Sequence, residues 1–225
     1  MTTKDIITEK REIQNFSNII VKEHQEAEII ITQGRREALT IEAPKDIIAR
    51  IESYVKAGTL IIKTKGTLLQ KMQDALTSGI SRKQIKYIIQ VRKLSNMELT
   101  GLIHANISNL KAKNLSVKFN GAGKVQFENL NSKFLSVTLL NIGEMILSGK
   151  AKEQIVTING SGVYDASELV SQITKVDVKG IGKGIIWTKK HLDVSIKGIG
   201  KVSYFGSPEV KSTIAPVATL EHLEK

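Results

Sequence analysis

A small-residue step recurs along this chain with a period close to 20 residues. Asn120-Gly121-Ala122-Gly123 returns as Asn141-Ile142-Gly143, Gly160-Ser161-Gly162, Gly180-Ile181-Gly182 and Gly198-Ile199-Gly200, with a worn copy at Gly101-Leu102-Ile103. The first positions are 101, 121, 141, 160, 180 and 198, so the spacings are 20, 20, 19, 20 and 18. A period that persists over six copies marks a stacked repeat. A unit of that length cannot close a core alone.

The flanks of each step repeat as well. Four positions before it stand Met97, Val117, Val137, Val156, Val176 and Val194. Two positions before it stand Leu99, Phe119, Leu139, Ile158, Val178 and Ile196, with polar residues between the two sets. This alternation is the period of a strand with one buried face. It resumes beyond the step, where Val125, Met145, Tyr164 and Val202 share one position and Phe127, Leu147, Ile186 and Tyr204 another. Each repeat therefore reads as strand, corner, strand and return. Stacked in parallel, each strand bonds to its equivalent about 4.8 Å away, and six coils rise roughly 24 Å. Glycine suits a corner where the chain turns sharply and successive corners lie close together. The expected fold is all-β: a right-handed parallel β-helix of about six regular coils, with handedness taken from the chirality of parallel connections, behind a β-rich N-terminal section carrying one short helix.

The chain divides on this reading into a β-rich section at 1–94, the β-helix at 95–214 and a tail at 215–225. Strands are expected at Glu12–Phe16, Asn18–Lys22, Glu28–Thr32, Ala38–Glu42, Ile47–Val55, Thr59–Thr64 and Ile85–Val91. Between the last two, Leu68, Leu69, Met72, Ala75 and Leu76 fall at helical spacing, which predicts a short covering helix near 66–80. Pro216 and the residues after it read as a closing strand followed by a loose end.

Composition excludes several classes. There is no cysteine, hence no disulfide and no thiolate metal site. No apolar stretch approaches 18 residues, so no membrane-spanning helix is expected. The first residues, Met1-Thr2-Thr3-Lys4-Asp5-Ile6-Ile7, lack a signal-peptide core, which leaves a cytoplasmic location and a removed leader both open. Net charge is +11, spread over the chain: 17 Lys/Arg against 11 Asp/Glu in residues 1–94, and 16 against 11 in 95–225. Residues 175–201 are the local exception, with seven Lys against two Asp.

One resemblance becomes usable on these residues. Glu12-Ile13-x-x-Phe16, Ile29-Ile30-Ile31-Thr32-Gln33-Gly34, Leu39-Thr40-Ile41-Glu42-Ala43, Gly58-Thr59-Leu60-Ile61-Ile62 and the serial Gly-x-Gly corners resemble the putative auto-transporter adhesin, head GIN domain family. The resemblance covers about residues 10–214 and implies a right-handed β-helical bacterial protein, exported or surface-associated, with no catalytic residues to carry over. Family corners usually continue with Asp. Here the following residues are Lys124, Glu144, Val163, Lys183 and Lys201.

No chemical constellation emerges. A calcium β-roll needs repeated Asp at the corners, and a polysaccharide-cleaving β-helix needs clustered carboxylates. Asp165, Glu168, Asp177 and Asp193 are too dispersed for either. His24, His104, His191 and His222 lack metal spacing. Trp187, next to the inward Ile186, faces outward and reads as a packed surface aromatic rather than a sugar platform. Gly180-Ile181-Gly182-Lys183-Gly184 lacks the Lys-Ser/Thr pair and helix of a phosphate loop, and its return at Gly198 makes it a corner. No catalytic, cofactor-binding or metal-binding residue is expected, and nucleic acid is set aside as a partner. Lys179 and Lys197 share one outward position on adjacent coils, and Lys183 and Lys201 another. Stacked like charges repel, so the fold gains nothing from them. They are the candidate polyanion site, although lysines near a last coil also block edge pairing. The expected function is a non-catalytic bacterial adhesion-type module recognising an anionic glycan or surface polymer. The alternatives are a self-assembling, bactofilin-like solenoid and, ranked lower, a polysaccharide-active enzyme.

Overall fold

The computed structural model describes residues 6–23, 25–66 and 85–224. About 75% of the described residues are strand, wound into a β-solenoid of about six turns. The fifteen strands among the described residues belong to one continuous hydrogen-bonded sheet.

The regular turns are built by long strands that bend around corners: β8 (Asn96–Ser108), β9 (Lys111–Asn141), β10 (Glu144–Gly160), β11 (Val163–Val178) and β12 (Lys183–Ile196). They stack in parallel and in the register that the repeat spacing dictates. Met97 lies over Val117, Val137 over Val156, Val156 over Val176, and Val176 over Val194. All six side chains are buried. The neighbouring file runs through Leu99 and Phe119, then Leu139, Ile158, Val178 and Ile196. Each buried aliphatic contributes about 1.5–3 kcal/mol, so these internal ladders dominate the stability of the stack.

Close approach explains the glycine corners. A Cβ on Gly198 would run into the carbonyl oxygen of Gly180 one turn below, and Gly160 sits at φ +130, where a side chain is strained.

The N-terminal strands join the same stack, but their order in space is not their order in sequence. These are β1 (Ile6–Arg11), β2 (Asn18–Lys22), β3 (Ala27–Gln33), β4 (Ala38–Pro44), β5 (Ile51–Lys56), β6 (Thr59–Thr64) and β7 (Ile85–Val91). The β2–β3 turn lies between the β6–β7 turn on one side and β8 on the other, all parallel. Beyond β6–β7 the pairing becomes antiparallel: β5 closes on β6, β4 on β7, and β1 on β4. Arg11 ties this outer layer together, donating from Nη1 to Ile51 O at 2.7 Å and to Ser53 Oγ at 2.9 Å.

Three local expectations change. Residues 12–16 are a loop rather than a strand, because Asn15 adopts φ +61, although Ile13 and Phe16 are buried as expected of core residues. The strand expected over Ile47–Val55 is split. After Pro44 the chain makes the single helix among the described residues, α1 (Lys45–Ile48), which buries Ile47 and Ile48, and β5 starts at Ile51. The helix expected near 66–80 lies, apart from Gly66, outside the described residues.

At the other end, β13 (Lys201–Phe205) and β14 (Glu209–Ile214) both pair with β12. Part of the segment read as a tail, β15 (Thr219–His222), pairs in parallel with β13. His222 stacks on Tyr204 with ring centroids 4.8 Å apart.

Candidate functional site

The glycine corner of the last turns presents the four lysines. Lys183 and Lys201 are register partners across β12 and β13. Lys179 and Lys197 follow the register pair Val178 and Ile196 and donate their backbone N–H to Ile158 O and Val178 O, one turn down. The geometry therefore brings all four onto two adjacent turns of one edge. At the tips between them, Ile181 and Ile199 are 60% and 63% exposed. Ile142 occupies the same tip two turns earlier and is also exposed.

Charge is only partly balanced there. Lys179 Nζ lies 3.2 Å from Asp177 Oδ2, and Lys201 Nζ lies 2.7 Å from Glu221 Oε2 on β15. Lys201, helped by a hydrogen bond from Ser203, holds the Glu221 carboxyl below its ordinary pKa. Among the described residues, Lys183 and Lys197 form no ion pair. Further back, Lys124 faces Glu144 at 3.5 Å, so that earlier turn neutralises itself across the ladder, whereas the last turns do so only in part.

The residues set aside from sequence stay apart. Asp165 accepts a hydrogen bond from the backbone of Ser167. His104 and His191 pair separately with Glu26 and Glu209. No group of three or more metal-ligating side chains gathers among the described residues. Trp187 is half-buried, in register with Val170 and Phe205, as a packed surface aromatic would be. What this corner can offer a ligand is fixed positive charge and ammonium donors beside two apolar tips.

Two features escaped the motif reading. One is a buried polar chain: Tyr164 Oη donates to Gln154 Oε1 at 2.8 Å, and Gln154 Nε2 donates to Ser171 Oγ at 2.8 Å, which meets Thr174 and Thr188. The other is a second set of lysines at the edge where each turn closes. Its signal was available in Lys111-Ala112-Lys113 and Lys150-Ala151-Lys152, the same triplet two turns apart.

A model of the putative auto-transporter adhesin, head GIN domain family matches residues 15–208. The chain belongs to that family. Solved structures similar to this head GIN domain include a putative adhesin from Bacteroides fragilis, with 23% identity, 98% of each chain covered and a TM-score of 0.85. A putative lipid binding protein and a putative adhesin, both from Parabacteroides distasonis, align over 98% of each chain at 16% and 17% identity with TM-scores of 0.72 and 0.71. At these identities the likeness establishes the fold. No curated protein matches the sequence. No described helix of the head GIN domain is long and apolar enough to cross a membrane.

Proposed function

We propose that this head GIN domain is a non-catalytic bacterial module of the binding and adhesion type, and that Lys179, Lys183, Lys197 and Lys201 take an anionic glycan or similar surface polymer. One observation carries the proposal: like charges are stacked about 4.8 Å apart on the last turns, and two of the four have no carboxylate partner among the described residues. Such a site is electrostatic, so binding to an acidic polysaccharide weakens as salt rises. Replacing the four lysines by glutamine abolishes it, and unchanged binding by that variant refutes the site.

A second reading has its own observation. Ile181 and Ile199 project between the lysines, and an apolar tip with a basic collar suits an anionic lipid surface. One similar structure is that of a putative lipid binding protein. Vesicles with and without anionic phospholipid separate the readings, because Ile181→Ser/Ile199→Ser weakens vesicle binding and leaves polysaccharide binding alone. The self-assembling alternative draws on β14, whose residues are exposed throughout and which, among the described residues, pairs only with β12. Electron microscopy decides it: a short monodisperse particle excludes filaments. A polysaccharide panel with product detection tests the enzymatic alternative.

A further inference from the structure

Away from the glycine corner, the side chains along the closing edge form two adjoining grooves. One, of about 620 Å³, is lined by Lys133, Lys150, Lys152 and Lys189 with the amides of Asn131 and Gln172. The second, of about 460 Å³, continues past Asn131 and Lys150 to Lys111, Asn109 and Asn129. Among the described residues, no carboxylate lines either groove. None of the five lysines forms an ion pair among the described residues.

We propose that these grooves are one binding site for a linear acidic polysaccharide lying along the solenoid axis. Its residues are separate from those of the glycine corner, so it stands or falls independently of that site. From Lys111 to Lys189 the site climbs four turn spacings, about 19 Å at 4.8 Å per strand. A chain laid along it meets a lysine on four of its five turns, and on the remaining one the amide of Gln172 stands between Lys152 and Lys189 to bond hydroxyls.

The floor is preorganised. Beneath the lysines, Ser132, Ala151, Ser171 and Thr188 are buried and in register from turn to turn. Asn129 Nδ2 donates to Asn109 Oδ1 at 2.8 Å, and Lys111 N donates to Gln33 Oε1 at 2.9 Å, so the amide wall is held in place. The lining also selects among polyanions. Among the described residues it contains no aromatic ring on which a nucleic-acid base could stack. It is concave and presents no large exposed aliphatic, whereas a bilayer surface is met by convex apolar faces.

The test uses the full chain with polygalacturonate and hyaluronate as probes and neutral dextran as control. Lys133→Gln/Lys150→Gln/Lys152→Gln/Lys189→Gln is compared with the corresponding quadruple substitution at Lys179, Lys183, Lys197 and Lys201. Loss of four exposed charge pairs weakens the acidic chains about 30-fold, which is about 2 kcal/mol at 1.4 kcal/mol per tenfold. Salt dependence also becomes shallower, and Lys150→Arg retains binding. Circular dichroism checks folding, and Lys133→Gln/Lys152→Gln supplies a graded loss should the quadruple variant unfold. Undiminished binding by the groove variant overturns the proposal, whatever the corner variant does. Stronger binding of single-stranded DNA of equal charge, or of anionic vesicles, overturns it too, as does failure of the unsubstituted chain to hold either acidic probe. Loss in the groove variant alone supports this site and refutes the corner site, whereas loss in the corner variant alone does the reverse.

Discussion

Tyr87 donates its phenolic hydrogen to Glu23 Oε1 at 2.6 Å, inside the N-terminal turns. Thr64 donates to the other oxygen of the same buried carboxylate at 2.8 Å. Thr64 ends β6 and Tyr87 lies in β7, so one side chain from the β2–β3 turn holds both sides of the turn next to it. Tyr87→Phe removes a donor from a buried carboxylate and is expected to destabilise the fold by about 1–3 kcal/mol. Urea denaturation reads the change, and wild-type stability in this variant would remove Glu23 from its pinning role.

Alkaline pH should act through the two buried phenols. Burial, with Glu23's charge adding at Tyr87 and Asp165's at Tyr164, pushes both phenols well above their ordinary range. Unfolded tyrosine ionises near pH 10. Below that pH both states hold the protons and the contribution to stability is complete. Above it the unfolded state releases protons that the folded state keeps, so stability falls by up to about 2.7 kcal/mol per pH unit for two groups. Denaturation midpoints from pH 8 to 12 test this, with Tyr164→Phe expected to halve the slope.

The polar chain through Gln154 should be strongly non-additive. Gln154→Leu strands the Tyr164 hydroxyl in the core and is expected to cost about 1–3 kcal/mol. Adding Tyr164→Phe removes the stranded group and recovers part of that loss. A double-mutant cycle measures the coupling, and simple additivity would show that the bond matters little.

Glycine substitutions should separate close packing from backbone conformation. Gly58 sits at φ +71 and faces open space, whereas Gly198 is outside the left-handed region and a side chain there meets Gly180 backbone. Gly58→Ala is expected to cost about 1 kcal/mol, and Gly198→Ala about 2–3 kcal/mol as neighbouring corners are forced apart. Thermal melts of the two variants give the comparison.

The regular turns were legible because each buried file recurs at one period: Met97, Val117, Val137, Val156, Val176 and Val194 are neighbours in space for the reason they are equivalent in sequence. The same file continues through Ile19 to Leu60, and there the period vanishes. Positions 60, 19 and 97 are adjacent turns whose sequence order is scrambled. Periodicity cannot report that arrangement. Gln154 and Thr174 were visible as a polar break between Leu135 and Leu192, but nothing local showed that Tyr164 would reach Gln154. At the corner, the alignment of Lys183 with Lys201 followed from the repeat, whereas the carboxylate facing Lys201 arrives with β15, beyond the last copy of the motif.

The interleaving of the first turns bears on how the chain is made. Strands β2 and β3 leave the ribosome early, yet one flank waits for Ile85–Val91 and the other for Asn96–Ser108. Synthesis must therefore pass Ser108 before that layer is enclosed. From there the remaining turns can zip on one after another, each templated by its predecessor as it emerges. A ribosome-stalled series of lengths should accordingly gain protease resistance in one abrupt step near residue 108 and then in small increments of one repeat.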